Sequence, residues 1–361
     1  MLPDSAPALG LVKPSVRAQA AYSLDAPATT RKLNQNEAPV DVPEDLKREI
    51  LSRAAQLPWH RYPAFFPEHL AAAVAERHGW LTSGVLVGNG SNEVIQAALA
   101  VSVAEGDVVV APQPTFSLYR LLTAVGAGRY VPVPLGEDYA YEVDALIAAA
   151  RRERAKVVVL NSPNNPTGSV LPEGAVERLL AETGALILCD EAYQDFGGPS
   201  AVPLLRESPR VVIFRTFSKA MGMAGLRFGY ALAHPEVARE VAKAKLPYNV
   251  NAVTLAAAEV ALANAARFEA RTRAVVAERE RCLPLLRQFP GIRVFPSAAN
   301  FVLIRSEVVP AELLFQRLLE EHGILIRDVS RGLGLAGCVR ISIGTRDDMD
   351  ALLGALRQIL G

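Results

Sequence analysis

A lysine near the middle of the chain, Lys219, has the sequence neighbours of a reactive amine. It follows the apolar stretch Val211–Phe214, so burial would remove water from its ammonium group and make the neutral amine a better nucleophile. Two hydroxyl residues, Thr216 and Ser218, and one cation, Arg227, flank it. This set suits a lysine that forms a Schiff base with an aldehyde whose phosphate is held by the hydroxyls and the guanidinium. A surface lysine after a strand is the alternative.

A carboxylate, Asp190, follows another apolar stretch, Leu186–Cys189, and Tyr193 comes three residues after it. A buried carboxylate is costly unless a cation pairs with it. A protonated pyridine nitrogen is such a cation, and Asp190 would then keep the ring charged so that it accepts electrons from a substrate carbanion. An aspartate that caps a helix is the alternative.

Three further motifs follow apolar stretches. Gly88–Glu93 has glycines and a serine before a helical pattern, and the amides at a helix start attract phosphate. Its spacing is not that of a dinucleotide-binding G-x-G-x-x-G. Pro112–Tyr119 carries an aromatic, Phe116, which can stack on a planar ring. In Asn161–Gly168, prolines and a glycine make a rigid loop from which Asn165 offers a side-chain donor.

The elements that would position these motifs alternate along the chain. The strand candidates are continuously apolar, as expected for strands buried on both faces, and they are Val85–Val87, Asp107–Ala111, Arg129–Val133, Lys156–Leu160, Leu186–Cys189, Val211–Phe214 and Phe228–Ala231. Helical patterns between them include Glu93–Ala104, Tyr141–Arg152 and Gly174–Thr183. This order predicts an α/β fold with a mostly parallel sheet. Ligands bind beyond the carboxyl ends of such strands, so the motifs should converge.

The last third of the chain changes character and predicts a smaller α+β domain. Its elements are one or two long helices in Leu255–Gln288, a strand pair around Val294–Ile304, a helix at Pro310–His322, strands at Ile324–Ile326 and Val339–Ile343, and a helix at Asp347–Leu360. Residues 1–30 are rich in Pro, Ala and Ser and predict an extended arm. We expect residues 31–50 and 256–361 to form the small domain and residues 51–255 the large, cofactor-binding one.

Length and composition limit the class of protein. A chain of 361 residues, of which 50% are hydrophobic, is long enough for two domains. Its formal net charge of zero argues against nucleic acid or an anionic membrane as partner. Three widely spaced cysteines predict neither a disulfide framework nor a zinc site, and they fit a reducing cytoplasm. With no apolar run of membrane-spanning length, we expect a soluble protein.

Taken together, and in this order with Lys219 last, the motifs resemble those of the fold-type I, pyridoxal-5′-phosphate-dependent aminotransferases of classes I and II. Among these the chain is most similar to the histidinol-phosphate aminotransferases, from about Ser15 to its C-terminus. The resemblance implies a large domain with a mainly parallel seven-stranded sheet flanked by helices, a small α+β domain, and a homodimer with two shared active sites. It also implies pyridoxal 5′-phosphate as the cofactor.

The resemblance implies a role for each residue at the cofactor. Lys219 would bond covalently to the cofactor and carry a proton between it and the substrate, and Asp190 would pair with the ring nitrogen. Tyr193 and Asn165 would bind the ring oxygen, and Phe116 would stack on the ring. The residues expected to hold the cofactor phosphate are Gly90, Ser91, Asn92, Thr216, Ser218, Arg227 and, from the other subunit of the dimer, Tyr62.

A second group of residues would bind the substrate. Arg340, in Val339–Gly344, matches the arginine that holds the α-carboxylate of glutamate, and Arg327 matches a second arginine of the pocket. The remaining residues expected at the substrate are Asn36, Tyr22, Tyr119 and Tyr248. The chain departs from the family pattern at three positions, where Ala38, Asn92 and Phe116 stand in for the usual Asn, Asp and Tyr.

The activity implied by the resemblance is transfer of an amino group between glutamate and imidazole acetol phosphate, giving 2-oxoglutarate and histidinol phosphate in histidine biosynthesis. Two alternatives share the same cofactor residues: an aromatic amino-acid aminotransferase and a decarboxylase of threonine phosphate. A binding protein with an inactive site is a third, and it is disfavoured because every expected catalytic group is present.

Overall fold

The computed structural model describes residues 6–19 and 27–361 of the chain. Its strands are β1 (Arg31–Lys32), β2 (Val85–Gly88), β3 (Val108–Gln113), β4 (Arg129–Pro134), β5 (Val157–Asn161), β6 (Leu186–Asp190), β7 (Val211–Thr216), β8 (Gly229–Ala233), β9 (Ile292–Val294), β10 (Phe301–Ser306), β11 (Ile324–Leu325), β12 (Arg327–Asp328) and β13 (Cys338–Ser342). Its helices are α1 (Ala6–Leu9), α2 (Pro14–Arg17), α3 (Glu44–Ala55), α4 (Glu68–His78), α5 (Ser91–Ser102), α6 (Leu118–Val125), α7 (Val143–Arg152), α8 (Ala175–Glu182), α9 (Pro235–Ala242), α10 (Ala252–Ala263), α11 (Ala265–Leu286), α12 (Ala311–His322) and α13 (Arg346–Leu360).

Seven strands form the larger sheet, in the order β2-β8-β7-β6-β5-β3-β4. Six of them run in one direction, and β8 is antiparallel to both of its neighbours, β7 and β2. The predicted mostly parallel, seven-stranded sheet is therefore confirmed. Every residue of β5, β7 and β8 is buried, as continuously apolar strands covered on both faces should be. The edge strand β4 is partly exposed and tolerates Pro132 and Pro134.

The register of the central strands brings the predicted motifs together. Asn161 of β5 lies opposite Asp190 of β6, and Asp190 lies opposite Phe214 of β7. The carboxyl ends of three parallel strands therefore meet at one edge of the sheet. The chain segments that leave this edge carry Asn165, Tyr193 and the residues that follow β7.

The C-terminal part of the chain builds a second, antiparallel sheet in the order β12-β13-β10-β9. Arg327 of β12 lies opposite Arg340 of β13, so the two arginines are neighbours across the strand pair. Helix α13 begins with a capping box between Thr345 and Asp348, which satisfies amides at its start. A two-stranded parallel sheet joins β1 to β11 and so ties the start of the chain to this region.

The buried hydrophobic residues divide between these sheets. One cluster packs on the larger sheet and includes Leu46 and Ile50 of α3 together with Ala257 of α10. Another surrounds β10 and β13 and includes Phe301 and Leu352. The boundaries at residues 30, 50 and 255 stay a prediction.

The structure differs from the expected elements in several places. In the described residues, the arm predicted to be extended contains two one-turn helices, α1 and α2. The long helical pattern, predicted as one or two helices, forms two, and it is interrupted at Asn264, whose backbone is not helical. Strand β3 starts after Asp107, because this side chain accepts a hydrogen bond from the Ala104 amide (2.9 Å) and pairs with Lys156 instead.

Over the ranges 6–19 and 27–361, every helix is too short or too polar to span a bilayer. Within the same ranges, no three His, Cys, Asp or Glu side chains are grouped in a way that could hold a metal ion.

Candidate active site

The polar residues that follow the central strands line one cleft between the two larger sheets. Strands β5, β6 and β7 supply residues at its floor, and β12 and β13 supply two arginines at the opposite wall. The lining residues are Asn34, Gln35, Asn36, Ser91, Asn92, Phe116, Asn161, Asn165, Asp190, Ala192, Tyr193, Thr216, Ser218, Lys219, Arg227, Arg327 and Arg340. Most of the predicted site residues are therefore brought together.

Lys219 is positioned as a nucleophile in this cleft. Its Nζ donates a hydrogen bond to the backbone carbonyl of Gln35 (2.9 Å) and lies 5.7 Å from the ring centre of Tyr193. Burial, and to a smaller extent the nearby cations Arg340 and Arg227, lower the pKa of Lys219 to about 7. A substantial fraction of the amine is therefore neutral, and reactive towards an aldehyde, near neutral pH.

Asp190 is a buried carboxylate with hydrogen-bond donors on both oxygens. Its Oδ2 accepts from the Tyr119 hydroxyl (2.6 Å) and its Oδ1 accepts from the Ala192 amide (3.0 Å). Burial raises the pKa of Asp190 to about 6, while these two hydrogen bonds act in the opposite direction. The side chain forms no ion pair with the described part of the chain. A ligand that brings a cation to this carboxylate would supply the missing partner.

An anion-binding corner lies at the start of helix α5. Thr216 Oγ1 donates to Ser218 Oγ (3.0 Å), and Arg227 Nη1 donates to the same Ser218 oxygen (3.1 Å). Gly90 precedes α5 with a φ of 82°, and a Cβ atom there would lie 2.4 Å from Arg227 Nη2. Glycine at position 90 therefore leaves room for the guanidinium beside the start of α5. Hydroxyls, a guanidinium and a helix start together suit a phosphate.

Arg340 and Arg327 form a second cationic region on the opposite wall. Arg340 is buried on β13; its Nη1 donates to Asn165 Oδ1 and its Nη2 to the Asn34 carbonyl (2.7 Å). Among the described residues, Arg327 has no ion pair or side-chain hydrogen bond. In the same cleft, Asn36 Nδ2 donates to Tyr193 Oη (3.0 Å). Two adjacent guanidiniums can bind a carboxylate or a phosphate ester.

Comparison with known proteins agrees with this chemistry. The family model for aminotransferase class I and II matches residues 29–356. The chain belongs to this family. Its members use pyridoxal 5′-phosphate, so the chain is a pyridoxal-phosphate-dependent aminotransferase.

Individual relatives cover nearly the whole of this aminotransferase. A histidinol-phosphate aminotransferase from Prosthecochloris aestuarii is 37% identical over 354 residues, which are 98% of this chain and 98% of that protein. The crystal structure of the histidinol-phosphate aminotransferase from Sinorhizobium meliloti, in complex with pyridoxal-5′-phosphate, is 27% identical, with a TM-score of 0.86 and 97% of each chain covered. The crystal structure of L-threonine-O-3-phosphate decarboxylase from Porphyromonas gingivalis is 25% identical, with a TM-score of 0.80 and coverage of 91% and 99%.

The cleft of the aminotransferase fits the cofactor by its own geometry. Asp190 is a buried carboxylate that a ring cation could pair with, and Lys219 is an amine with a lowered pKa. Phe116 lines the cleft and offers a ring face beside them. The anion-binding corner, which includes Gly90 and Arg227, lies at the start of α5.

Four predicted site residues lie elsewhere or cannot be placed. Tyr119 does not line the cleft: it is fully buried behind Asp190, so its predicted contact with the substrate phosphate is replaced by a contact with that carboxylate. Tyr62 is 80% exposed and stacks on Tyr248 at 4.5 Å between ring centres, and neither ring lines the cleft. Tyr22 lies outside the described residues.

The structure also adds residues that the sequence did not single out. Asn161 lines the cleft, where its Nδ2 donates to the Asp190 carbonyl (3.0 Å) and its Oδ1 accepts from the Asn165 amide (2.8 Å). The sequence signal that could have identified Asn161 is its position directly after an apolar stretch. The Gln35 carbonyl that holds Lys219 had no such signal, because any residue type supplies a backbone oxygen.

Proposed function

We propose that this aminotransferase is a histidinol-phosphate transaminase, which exchanges an amino group between glutamate and imidazole acetol phosphate in histidine biosynthesis. The observation that carries the proposal is the pair of arginines, Arg327 and Arg340, on adjacent strands of one cleft wall. Such a pair can hold the α-carboxylate of glutamate in one half of the cycle and the phosphate ester in the other. The names of full-length relatives at 37% identity support the same substrate.

When bound, the cofactor supplies an aldehyde that carries the amino group and a cationic ring that takes up electrons from the substrate. The protein supplies the rest. Lys219 Nζ would hold the cofactor aldehyde and, when free, would serve as the base for the substrate Cα proton. Asp190 would pair with the ring nitrogen, and Tyr193 and Asn165 would hydrogen-bond the ring oxygen. Phe116 would hold the ring face and so help to orient the substrate.

The phosphate of the cofactor would be held by the corner at the start of α5. Ser91, Thr216, Ser218 and Arg227 contribute side chains there, and the backbone at Gly90 and Asn92 contributes amides. Fixing the phosphate orients the ring without any contact to the reacting atoms.

Single half-reactions test the proposed substrate. The purified yellow holoenzyme is mixed with histidinol phosphate, and the loss of its visible absorbance is followed in a stopped-flow instrument. Histidinol phosphate should bleach the protein at a far lower concentration than phenylalanine does, and no carbon dioxide should be released from threonine phosphate. Faster reaction with phenylalanine, or release of carbon dioxide, would instead favour one of the two alternative activities.

We further propose that the enzyme is a homodimer with shared active sites. The support is a group of exposed large hydrophobic side chains around the stacked pair Tyr62 and Tyr248: Trp59 is 73%, Phe65 72% and Leu246 74% exposed. A soluble monomer rarely leaves so many aromatic side chains in water. Tyr62 would reach the cofactor phosphate of the other subunit. Free, buried Cys189, Cys282 and Cys338 support a cytoplasmic location.

A further inference from the structure

Tyr119 stands directly behind two residues of the cleft. It lies in the first turn of α6 and has no exposed surface. Its hydroxyl is 2.6 Å from Asp190 Oδ2, and its ring meets the edge of Phe116 at 5.7 Å between centres and an angle of 89°. One side chain thus contacts both the carboxylate that faces the ring nitrogen and the aromatic that faces the ring.

The hydrogen bond has a defined direction. An ionised carboxylate can only accept, so the Tyr119 hydroxyl donates. Burial, together with the negative charge of Asp190, raises the pKa of Tyr119 well above 10, and the hydroxyl therefore keeps its proton. The Ala192 amide donates to the other oxygen (3.0 Å). With one donor on each oxygen, the carboxylate cannot rotate freely.

We propose that Tyr119 is a positioning residue that acts through Asp190: its hydroxyl orients the carboxylate and stabilises its charged form for the ring nitrogen of the cofactor. Its ring at the same time fixes the tilt of Phe116. This inference rests on the assignment of Asp190 to the ring nitrogen, and it is independent of which amine the enzyme prefers. It replaces the substrate contact that the sequence predicted for Tyr119.

Other ionisable groups around Asp190 do not duplicate this role. Glu191 disfavours the charged carboxylate and Lys219 favours it, both through space. Tyr141 is buried nearby, but its hydroxyl donates to the Asn161 carbonyl. In the described part of the chain, Tyr119 is therefore the side chain that donates a hydrogen bond to the Asp190 carboxylate.

The test compares cofactor binding by apoproteins of the wild type, Tyr119→Phe and Tyr230→Phe. Tyr230 is a matched control, because it is equally buried and its hydroxyl bonds to His78 Nε2 (2.7 Å), away from the cleft. Each apoprotein is titrated with pyridoxal 5′-phosphate and with its carba analogue, in which a C–H group replaces the ring nitrogen. Tyr119→Phe should weaken binding of pyridoxal 5′-phosphate about tenfold, as expected for a lost hydrogen bond to a charged group.

The carba analogue separates positioning from simple packing. Because it has no ring nitrogen, Tyr119→Phe should bind it as well as the wild type does, and Tyr230→Phe should match the wild type with both compounds. An equal loss for both compounds, or no loss for either, would overturn the inference. A second measurement uses the Asp190→Asn background, where adding Tyr119→Phe should have no further effect on binding. Failure of the wild type itself to bind pyridoxal 5′-phosphate would instead contradict the cofactor assignment.

Discussion

At the scale of single residues, burial shifts the two central ionisable groups in opposite directions. It lowers the pKa of Lys219 to about 7 and raises the pKa of Asp190 to about 6, since in both cases water is removed from the charged form. Each shift serves the chemistry, because a neutral amine attacks an aldehyde and a buried anion attracts a ring cation. Each pKa shift also means that burial of the charged form destabilises the folded apoprotein. Cofactor binding should therefore reduce this cost at both groups.

Replacing Lys219 should therefore abolish turnover and stabilise the cofactor-free protein. In the unfolded chain the lysine pKa is 10.5, and in the folded chain it is about 7. Between these values the unfolded state binds more protons, so the stability of the wild-type apoprotein rises with pH across this window, and the full penalty is present below pH 7. Lys219→Met should be more stable at pH 6 by about 2 kcal/mol, after discounting for solvent screening.

Urea unfolding of the two apoproteins across this pH range measures the effect. The difference should shrink as the pH rises from 7 towards 10.5, because the folded wild type has already lost the proton and the unfolded state approaches its own pKa. Lys243→Met is a suitable control, because the Lys243 side chain is 65% exposed and should change stability by less than about 0.5 kcal/mol. A constant difference between wild type and Lys219→Met at all pH values would show that the lysine carries no burial penalty.

Asp190→Ala should slow removal of the substrate Cα proton far more than it weakens substrate binding. The carboxylate lines the cleft at the end of β6, whereas the substrate anion is expected at Arg327 and Arg340. A substrate deuterated at Cα should therefore show a larger isotope effect on kcat in the variant, with a change in the substrate dissociation constant of less than about threefold. An unchanged rate of proton removal would argue against the role of Asp190.

At the scale of elements, a buried ion pair joins the ends of β6 and β7, the strands that present Asp190 and Lys219. Arg215 of β7 and Glu191, directly after β6, are 7% and 3% exposed, with 2.7 Å between Nη2 and the carboxylate. Ser200 Oγ and the Ala201 amide also donate to Glu191, and Arg215 Nη1 donates to Gln194 (2.6 Å). The pair fixes the spacing between the strands that present Asp190 and Lys219.

Glu191→Gln should lower the free energy of unfolding by about 3 kcal/mol, because it leaves the buried Arg215 guanidinium with only the more distant Asp195 (3.8 Å) as counterion. Urea denaturation of the holoenzyme measures this loss. The control is Glu182→Gln, which removes an exposed ion pair with Arg178 on α8 (3.0 Å) and should cost less than about 1 kcal/mol. Equal effects of the two variants would mean that the buried pair has no special part in holding the strands.

The sequence predicted the central strands well because their composition and their ends are both distinctive. Runs such as Val157–Leu160 are apolar at every position, and a polar motif marks each carboxyl end. The direction of β8 could not be predicted. This strand is as apolar as the parallel strands of the sheet, and nothing in its residues shows that it runs in the opposite direction. Helix starts were harder to predict from the sequence. Tyr141 fits the helical pattern, yet it precedes α7, because its hydroxyl donates to the Asn161 carbonyl.

Within the site, the sequence indicated most of the side chains that line the cleft but not the contacts that depend on packing. Residues 34–36 show the limit. Their successive carbonyls accept hydrogen bonds from Arg340 (2.7 Å), Lys219 (2.9 Å) and Asn300 (2.9 Å), so a short backbone segment connects Arg340 to Lys219. Backbone oxygens carry no sequence signal. The position of Tyr119 likewise depends on packing, since its hydroxyl reaches Asp190 at the end of a different strand, β6.

At the scale of the whole molecule, the exposed aromatic side chains near Tyr62 bear on how complete the site is. Tyr62 is stacked on Tyr248, Phe65 meets the same ring edge-on (5.7 Å, 83°), and none of the three lines the cleft of its own chain. A two-fold dimer would bury this group and allow each Tyr62 to enter the other site. The proposed dimer would then be required to complete the anion-binding corner of each subunit.

Complementation between two variants tests this arrangement. Lys219→Ala and Tyr62→Ala chains with different affinity tags are co-expressed, and the heterodimer is isolated through both tags. If Tyr62 acts across the interface, one site of the heterodimer lacks both groups and the other has both intact, so activity per dimer should be about half that of the wild type. Assays at limiting cofactor make the contribution of the phosphate contact visible.

The same heterodimer distinguishes the alternative in which Tyr62 acts within its own chain. In that case the subunit with an intact Lys219 also carries Tyr62→Ala, and the heterodimer should need as much cofactor for half-maximal activity as the Tyr62→Ala homodimer does. The Lys219→Ala homodimer gives the background, since it lacks the amine in both sites. Wild-type cofactor affinity in the heterodimer therefore requires that an intact Tyr62 reaches an intact Lys219 on another chain, which only a shared site allows.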